Sequence, residues 1–131
     1  MATDVKILAI DEQDIILSSI RKALTSCGDV MYSITTVPTA MEGLRSIRNS
    51  SFDLVLVDAA LPGMNTSETL RRIRTTSPST ALILMSGYIS GTSIPGEISG
   101  YVDAILSKPF TTDEITSLVS RILVERRGKE R

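Results

Sequence analysis

The chain has 131 residues, of which 42% are hydrophobic, and 14 Lys and Arg against 15 Asp and Glu leave a formal charge of −1. These values are typical of one globular domain and exclude a strongly basic protein that binds nucleic acid or anionic membrane through its overall field. The sequence has no His and one Cys, Cys27. It therefore excludes a Ser-His-Asp or Cys-His couple, a Cys/His zinc site and an internal disulfide.

Two further observations bear on location. Only Ala81 to Met85 is continuously apolar within the uncharged stretch between Arg74 and Glu97, so no membrane span is predicted. The amino terminus carries an early acid and no basic stretch before a long apolar core, which disfavours a secretory signal. We expect a soluble protein in the reducing environment of the cytoplasm.

Five short segments rich in apolar and branched residues are predicted to be strands. The segment at Met31 has alternating character, and the others have the short, mainly apolar pattern of buried parallel strands. They are Val5 to Ile10, Met31 to Val37, Leu54 to Val57, Ala81 to Met85 and Val102 to Leu106.

Helical spacing of apolar residues fills the intervals between these strands. The first predicted helix buries a stripe from Ile16 to Cys27 and ends at Gly28. The others are predicted over Thr39 to Ile47, from Asn65 or Thr66 through Ile73, and after a cap at Thr111 or Thr112.

The interval from Tyr88 to Gly100 is the exception, because Gly91, Pro95 and Gly96 weaken a helix there. We expect a short or irregular fourth helix. Strands that alternate with helices predict a doubly wound α/β domain, with a parallel sheet and helices on both faces. The functional crevice of such a sheet lies at the carboxyl ends of its strands.

Charged and hydroxyl side chains follow the predicted strands at these ends. Asp11 and Glu12 follow the first strand, Asp58 the third, Ser86 the fourth and Lys108 the fifth. Three carboxylates and one ammonium leave a local charge of −2, which a divalent cation would offset. Carboxylate oxygens suit Mg²⁺, which commonly binds phosphate as well.

These residue types are suited to phosphoryl transfer. The carboxylate of Asp58 is a candidate nucleophile that would form an aspartyl phosphate. The Ser86 hydroxyl and the Lys108 ammonium are candidates to contact the phosphoryl oxygens. Asp58 or Lys108 taken alone is more typical of a helix cap or a surface than of a catalytic site, so the interpretation depends on the occurrence of these residues together.

Five motifs of the chain resemble those of the receiver domain of bacterial two-component response regulators, in the same order. The resemblance implies a five-stranded flavodoxin-like fold with strand order 2-1-3-4-5 and phosphoryl transfer from the histidine of a partner kinase. It also implies a cis peptide before Pro109, and Mg²⁺ held by Asp11, Glu12, Asp58 and the main-chain carbonyl of Ala60. The motifs are Ile7 to Glu12, Leu54 to Asp58, Leu61 to Met64, Met85 to Gly87 and Ser107 to Phe110.

Three positions depart from the family pattern. Glu12 stands where a second aspartate is common, Ile105 replaces the usual switching Tyr or Phe, and Asn65-Thr66 replaces the usual Asp-Gly. Tyr88 is close enough to Ser86 in sequence for its ring to cover a phosphoryl group from water, which is a further hypothesis.

The predicted function is a phosphoacceptor receiver domain that takes a phosphoryl group onto Asp58 with Mg²⁺ and so changes partner binding, rather than an enzyme that turns over a separate substrate. The alternative is a non-phosphorylated pseudo-receiver that acts as a constitutive interaction module. A flavin carrier or an Asp-x-Asp phosphatase is disfavoured, because no glycine-rich phosphate loop follows the first strand and Ala60 stands where the second aspartate is needed.

Residues 1–124 are predicted to form the receiver domain, and residues 125–131 a basic helix end or the start of a linker. The expected partners are a sensor histidine kinase or phosphotransfer protein, and an output domain or a downstream protein. A homodimer through helical faces around the fifth strand is left open. The basic clusters at Arg71 to Arg74 and at the carboxyl terminus are interpreted as solvated helix faces, so no direct nucleic-acid contact is expected.

Overall fold

A computed structural model describes residues 4–25, 30–87 and 96–129, and these form alternating strands and helices. The strands are β1 (Asp4–Ile10), β2 (Met31–Val37), β3 (Leu54–Asp58), β4 (Ala81–Ser86) and β5 (Ala104–Ser107). The helices are α1 (Asp14–Thr25), α2 (Ala40–Asn49), α3 (Thr66–Thr76), α4 (Gly96–Ser99) and α5 (Thr112–Lys129).

The strands form one parallel sheet in the order β2-β1-β3-β4-β5, which confirms the predicted doubly wound architecture. Alternate residues of β1 enter opposite sides of the sheet, with Ile7 in one apolar cluster and Leu8 in the other. The first cluster includes the inner faces of α1 and α5, and the second those of α2 and α3. The sheet is therefore covered on both faces. Its central strands β3 and β4 are apolar up to their last residues, Asp58 and Ser86.

Helix caps explain where three helices begin. Thr39 caps α2, and Asn65 caps α3 by accepting a hydrogen bond from the Glu68 amide at 2.7 Å. Thr111 and Glu114 cap α5 reciprocally, each side chain accepting from the other residue's amide. The sequence left Asn65 or Thr66 as the start of the third helix and Thr111 or Thr112 as the cap of the last one. In the structure α3 begins at Thr66, and α5 begins at Thr112 after the cap at Thr111.

Strand β5 begins two residues later than the sequence pattern predicts, and Asp103 is the reason. The Asp103 amide donates to the Leu82 carbonyl at 2.8 Å, while its carboxylate accepts from the Leu82 amide at 2.8 Å. A side chain therefore takes the place of a main-chain acceptor beside β4. The paired residues of β4 and β5 therefore begin only at Ile83 and Ala104.

The fourth helix is short, as expected, with α4 spanning only Gly96–Ser99. Tyr88 and most of the glycine-rich interval before α4 lie outside the described residues, as do Cys27 and Gly28 after α1. In the part of the chain that the structure describes, no helix combines the length and apolarity that a membrane crossing requires.

Gly43, on the inner face of α2, leads to a first prediction. A Cβ atom at this position would overlap the Cγ1 and Cδ1 atoms of Ile10, a side chain that is fully buried. Gly43→Ala is expected to lower the free energy of unfolding by about 1 kcal/mol, because overpacking a filled core outweighs the gain in helix propensity. Urea denaturation measures this change.

The matched control is Gly96→Ala, because a Cβ there meets no atom within 4 Å. We expect this control to leave the urea midpoint nearly unchanged. A Gly43→Ala chain that is more stable than the wild type would show that α2 does not approach β1 this closely.

Candidate functional site

The candidate site lies at the carboxyl edge of the sheet. Asp11 directly follows β1, Asp58 is the last residue of β3, and Lys108 directly follows β5. The Lys108 amide donates to the Ser86 carbonyl at 2.8 Å, and the peptide between Lys108 and Pro109 is cis, as the resemblance implies. Parallel strands thus bring residues distant in sequence to one edge.

Lys108 joins the two carboxylates. Its Nζ atom lies 2.5 Å from Oδ2 of Asp11 and 3.1 Å from Oδ1 of Asp58. The exposed fraction is 12% for the lysine side chain, 0% for that of Asp11 and 9% for that of Asp58. Two carboxylates and one ammonium leave a charge of −1 in a place with little access to water.

The surroundings of Lys108 act on its pKa in opposite directions. Burial alone lowers the pKa, because it disfavours the charged form, whereas the hydrogen bonds to Asp11 and Asp58 raise it. The net effect is a pKa above the ordinary 10.5. Lys108 is therefore a stable cation at neutral pH, suited to offset negative charge rather than to exchange protons.

Main-chain contacts hold both acids in place. The second carboxylate oxygen of Asp11, Oδ1, accepts a hydrogen bond from the Gln13 amide at 2.9 Å. The main-chain amide of Asp11 donates to the Val37 carbonyl at 3.2 Å. Asp58 pairs with Met85 in the ladder between β3 and β4, and the next amide, that of Ala59, donates to the Met85 carbonyl at 2.8 Å. The neighbouring strands therefore hold the backbone at both acidic residues, Asp11 and Asp58.

The other predicted site residues lie outside the ion pairs of Asp11, Asp58 and Lys108. Ser86 is the half-buried last residue of β4, opposite Ser107 in the ladder. Glu12 is exposed, and no set of three or more carboxylate, Cys or His side chains within the described ranges is arranged to hold a metal ion. Ala60 lies in the exposed turn after β3. The roles of Ser86, Glu12 and Ala60 stay predictions.

Two features of the site were missed by the sequence argument. The sequence does not indicate that Lys108 pairs directly with Asp11, because a lysine at this strand end predicts only a contact with an incoming phosphoryl group. The second feature is a hydrogen bond at 2.5 Å from the Thr66 hydroxyl to the Ala59 carbonyl, next to Asp58. The departure from the usual glycine at position 66 was the available sign of it.

Ile105, at the place of the usual aromatic residue, is half-buried and packs against the second apolar cluster. The side chain thus already belongs to the core on the α3 side of the sheet.

Acids accompany the basic clusters. Glu68 accepts hydrogen bonds from Arg71 and Arg72. These bonds, the one from Arg71 more than the one from Arg72, lower the pKa of Glu68 to about 2. Arg74 and Arg126 both bond the Asp103 carboxylate. The side chains of Arg71 and Arg72 are exposed, which fits the interpretation of a solvated helix face. Those of Arg74 and Arg126 are only 22% and 21% exposed and form ion pairs with Asp103, so they do not belong to such a face.

The strand order and the polar edge define a flavodoxin-like α/β domain with an acidic site at the carboxyl ends of its strands. The model of the response regulator receiver domain matches residues 7–120, and the chain belongs to that family.

Individual relatives agree with this assignment. The chain is 36% identical over 94 residues, 70% of its length, to the uncharacterized transcriptional regulatory protein YkoG of Bacillus subtilis, covering 39% of that protein. It is 26% identical over 94% of its length to the transcriptional regulatory protein CseB of Streptomyces coelicolor, covering 51% of that protein. A CheY-like receiver domain protein from Methanospirillum hungatei superposes with a TM-score of 0.86 at 28% identity, over 97% of this chain and 99% of the other.

The chain thus spans about half, or less, of the length of these curated relatives, whereas it matches a solved single receiver domain over nearly its full length.

Proposed function

We propose that this receiver domain is a phosphoacceptor and that Asp58 takes the phosphoryl group. The observation that carries the proposal is the contact of Lys108 with both Asp58 and Asp11 at the carboxyl edge of the sheet. A carboxylate oxygen of Asp58 forms a bond to phosphorus as the bond from phosphorus to the donor's histidine nitrogen breaks. The electron pair of that broken bond returns to the imidazole of the donor.

The neighbouring side chains support this transfer by charge and hydrogen bonding. The Lys108 ammonium, which already lies beside Asp58, offsets negative charge on a phosphoryl oxygen. The Ser86 hydroxyl, at the end of β4, is proposed to donate to another phosphoryl oxygen. The main chain links these two residues through the bond from the Lys108 amide to the Ser86 carbonyl.

The donor set fits Mg²⁺. Asp11 and Asp58 face a single ammonium and leave a charge of −1, and Mg²⁺ is commonly bound by one or two carboxylates together with water and phosphate oxygens. Asp11 and Asp58 would hold the ion, and the family resemblance adds Glu12 and the Ala60 carbonyl. When bound, the ion supplies positive charge that stabilises the transferring phosphoryl group.

The partners and the extent of the domain are also proposals. The donor is a sensor histidine kinase or a phosphotransfer protein in the cytoplasm. The partner that responds to phosphorylation is an output domain or a downstream protein, since the curated relatives are transcriptional regulators that are longer than this chain. Residues 1–124 form the receiver, and residues 125–131 continue it as a basic helix end or linker start.

The domain is thus proposed to act as a signalling switch and not as a turnover enzyme. A homodimer through the faces around β5 stays a prediction. The alternative of a constitutive pseudo-receiver has no observation of its own in its favour, because the buried acids and the lysine on which the phosphoacceptor chemistry depends are present together.

Incubation with acetyl phosphate and Mg²⁺, followed by intact-mass measurement, tests the proposal. We expect one added phosphoryl group on the wild-type chain and none on Asp58→Asn. Asp53→Asn is the matched control, because Asp53 lies just before the opposite end of the same strand and is expected to leave the adduct unchanged. A wild-type chain without an adduct, or an equal adduct on Asp58→Asn, would overturn the proposal.

A further inference from the structure

The turn that connects β3 to α3 begins at Ala59, directly after the proposed phosphoacceptor. The Thr66 hydroxyl donates to the Ala59 carbonyl at 2.5 Å and so joins the two ends of this turn. Within the turn, Gly63 adopts a φ of +86°, a conformation that favours glycine. The turn is therefore a closed loop that a side chain, rather than the main chain alone, holds together.

Thr66 is itself held firmly. It is the first residue of α3, whose amino end is capped by Asn65 through the bond to the Glu68 amide. The Thr69 hydroxyl, which is buried, donates to the Asn65 carbonyl at 3.0 Å. The Thr66 hydroxyl thus projects from a helix start that is capped by side-chain hydrogen bonds.

Both main-chain polar groups of Ala59 are used. Its amide donates to the Met85 carbonyl of β4, and its carbonyl accepts from Thr66. Because a peptide unit is planar, fixing the Ala59 carbonyl also fixes the plane of the peptide that leads into Ala60. The path of the chain just after Asp58 is therefore set from two sides, by β4 and by α3.

We propose that Thr66 is a positioning residue for the Asp58 site, and this inference rests on the proposed function. Through its bond to the Ala59 carbonyl, the hydroxyl orients the segment from Asp58 to Ala60 for the bound ion and the phosphoryl group. Glycine, the residue usual at this place in the family, has no hydroxyl to make such a bond. The departure at position 66 is thus a specific device of this chain rather than a loss of function.

Three substitutions separate the hydroxyl from the rest of the side chain. Thr66→Val keeps the shape and removes the hydroxyl, Thr66→Ser keeps the hydroxyl, and Thr66→Ala provides a second hydroxyl-free chain if valine prevents folding. Thr75→Val is the matched control, because Thr75 lies on the same helix and bonds only the Arg71 carbonyl among the contacts described. Each chain is compared with the wild type over residues 1–131.

Mg²⁺ affinity, measured by amide chemical shifts without any phosphoryl donor, is the first readout. We expect Thr66→Val and Thr66→Ala to bind Mg²⁺ about fivefold more weakly, which corresponds to one lost hydrogen bond, and to take up phosphoryl from acetyl phosphate more slowly. Thr66→Ser and Thr75→Val are expected to behave as the wild type. A purely structural role would lower the urea midpoint and leave Mg²⁺ affinity unchanged.

The outcomes separate the two proposals. Equal Mg²⁺ affinity in the wild type and in both hydroxyl-free chains overturns the role of Thr66. Failure of Thr66→Ser to restore affinity also overturns it, because the hydroxyl would then not be the cause. A wild-type chain that binds Mg²⁺ but takes up no phosphoryl group overturns the proposed function instead.

Discussion

Replacing Lys108 by Met is expected to lower the free energy of unfolding by about 3 kcal/mol in buffer without divalent ions, because it leaves two carboxylates with little exposure and no cation beside them. Methionine keeps much of the unbranched stem, so the lost charge dominates the effect. Urea denaturation of the variant and the wild type at neutral pH measures the difference. Mg²⁺ is expected to restore part of the loss, since it brings positive charge to the same two acids.

Lys6→Met is the control for this prediction, because Lys6 lies on β1 with an exposed side chain. A surface substitution of this kind is expected to change the free energy of unfolding by no more than about 0.5 kcal/mol. A Lys108→Met chain as stable as the wild type without divalent ions would show that the two carboxylates do not depend on the ammonium.

Replacing Asp58 by Asn is expected to have the opposite effect on the resting protein. The charge of the three-residue set changes from −1 to zero, while the amide oxygen can still accept a bond from Lys108. We expect the free energy of unfolding to rise by about 1 kcal/mol without divalent ions, because the repulsion between Asp11 and Asp58 disappears. The same urea measurement checks this increase.

The larger consequence of Asp58→Asn concerns Mg²⁺. A bound ion stabilises the folded state by about 2.7 kcal/mol at a concentration of one hundred times its dissociation constant. We expect the wild type and the Asp53→Asn control to gain this stability and Asp58→Asn to lose most of the gain. An Asp58→Asn chain that is less stable than the wild type and still gains equally from Mg²⁺ would contradict the proposed arrangement of the site.

The fold followed from local patterns because its main determinants are local. Apolar runs such as Leu54 to Val57 are bounded by acids, and helical stripes such as that of α1 recur between them. The boundary at β5 did not follow from such a pattern. Val102 is an apolar, branched residue typical of a strand, but the Asp103 carboxylate takes the Leu82 amide, and the pairing of β5 with β4 begins only at Ala104.

The site was predictable only in outline. The parallel strands place Asp11, Asp58, Ser86 and Lys108 at one edge of the sheet. The alternation of strands and helices predicts that the strands are parallel, and the family resemblance implies their order. It did not indicate that Lys108 bonds both acids, or that Glu12 stays exposed beside them. Such choices depend on side-chain directions, which differ between neighbours as similar as Asp11 and Glu12.

The sequence by itself determined the class of domain, the residues available at the strand ends and the family to which the chain is similar, because periodicity and residue type act over short distances along the chain. Only the tertiary structure decided which charges meet and how the turn after Asp58 is closed. Lys108 reaches across 97 positions to Asp11, and the Thr66 hydroxyl reaches back across 7 to Ala59. Contacts of this kind depend on where the backbone carries each side chain, which no local pattern specifies.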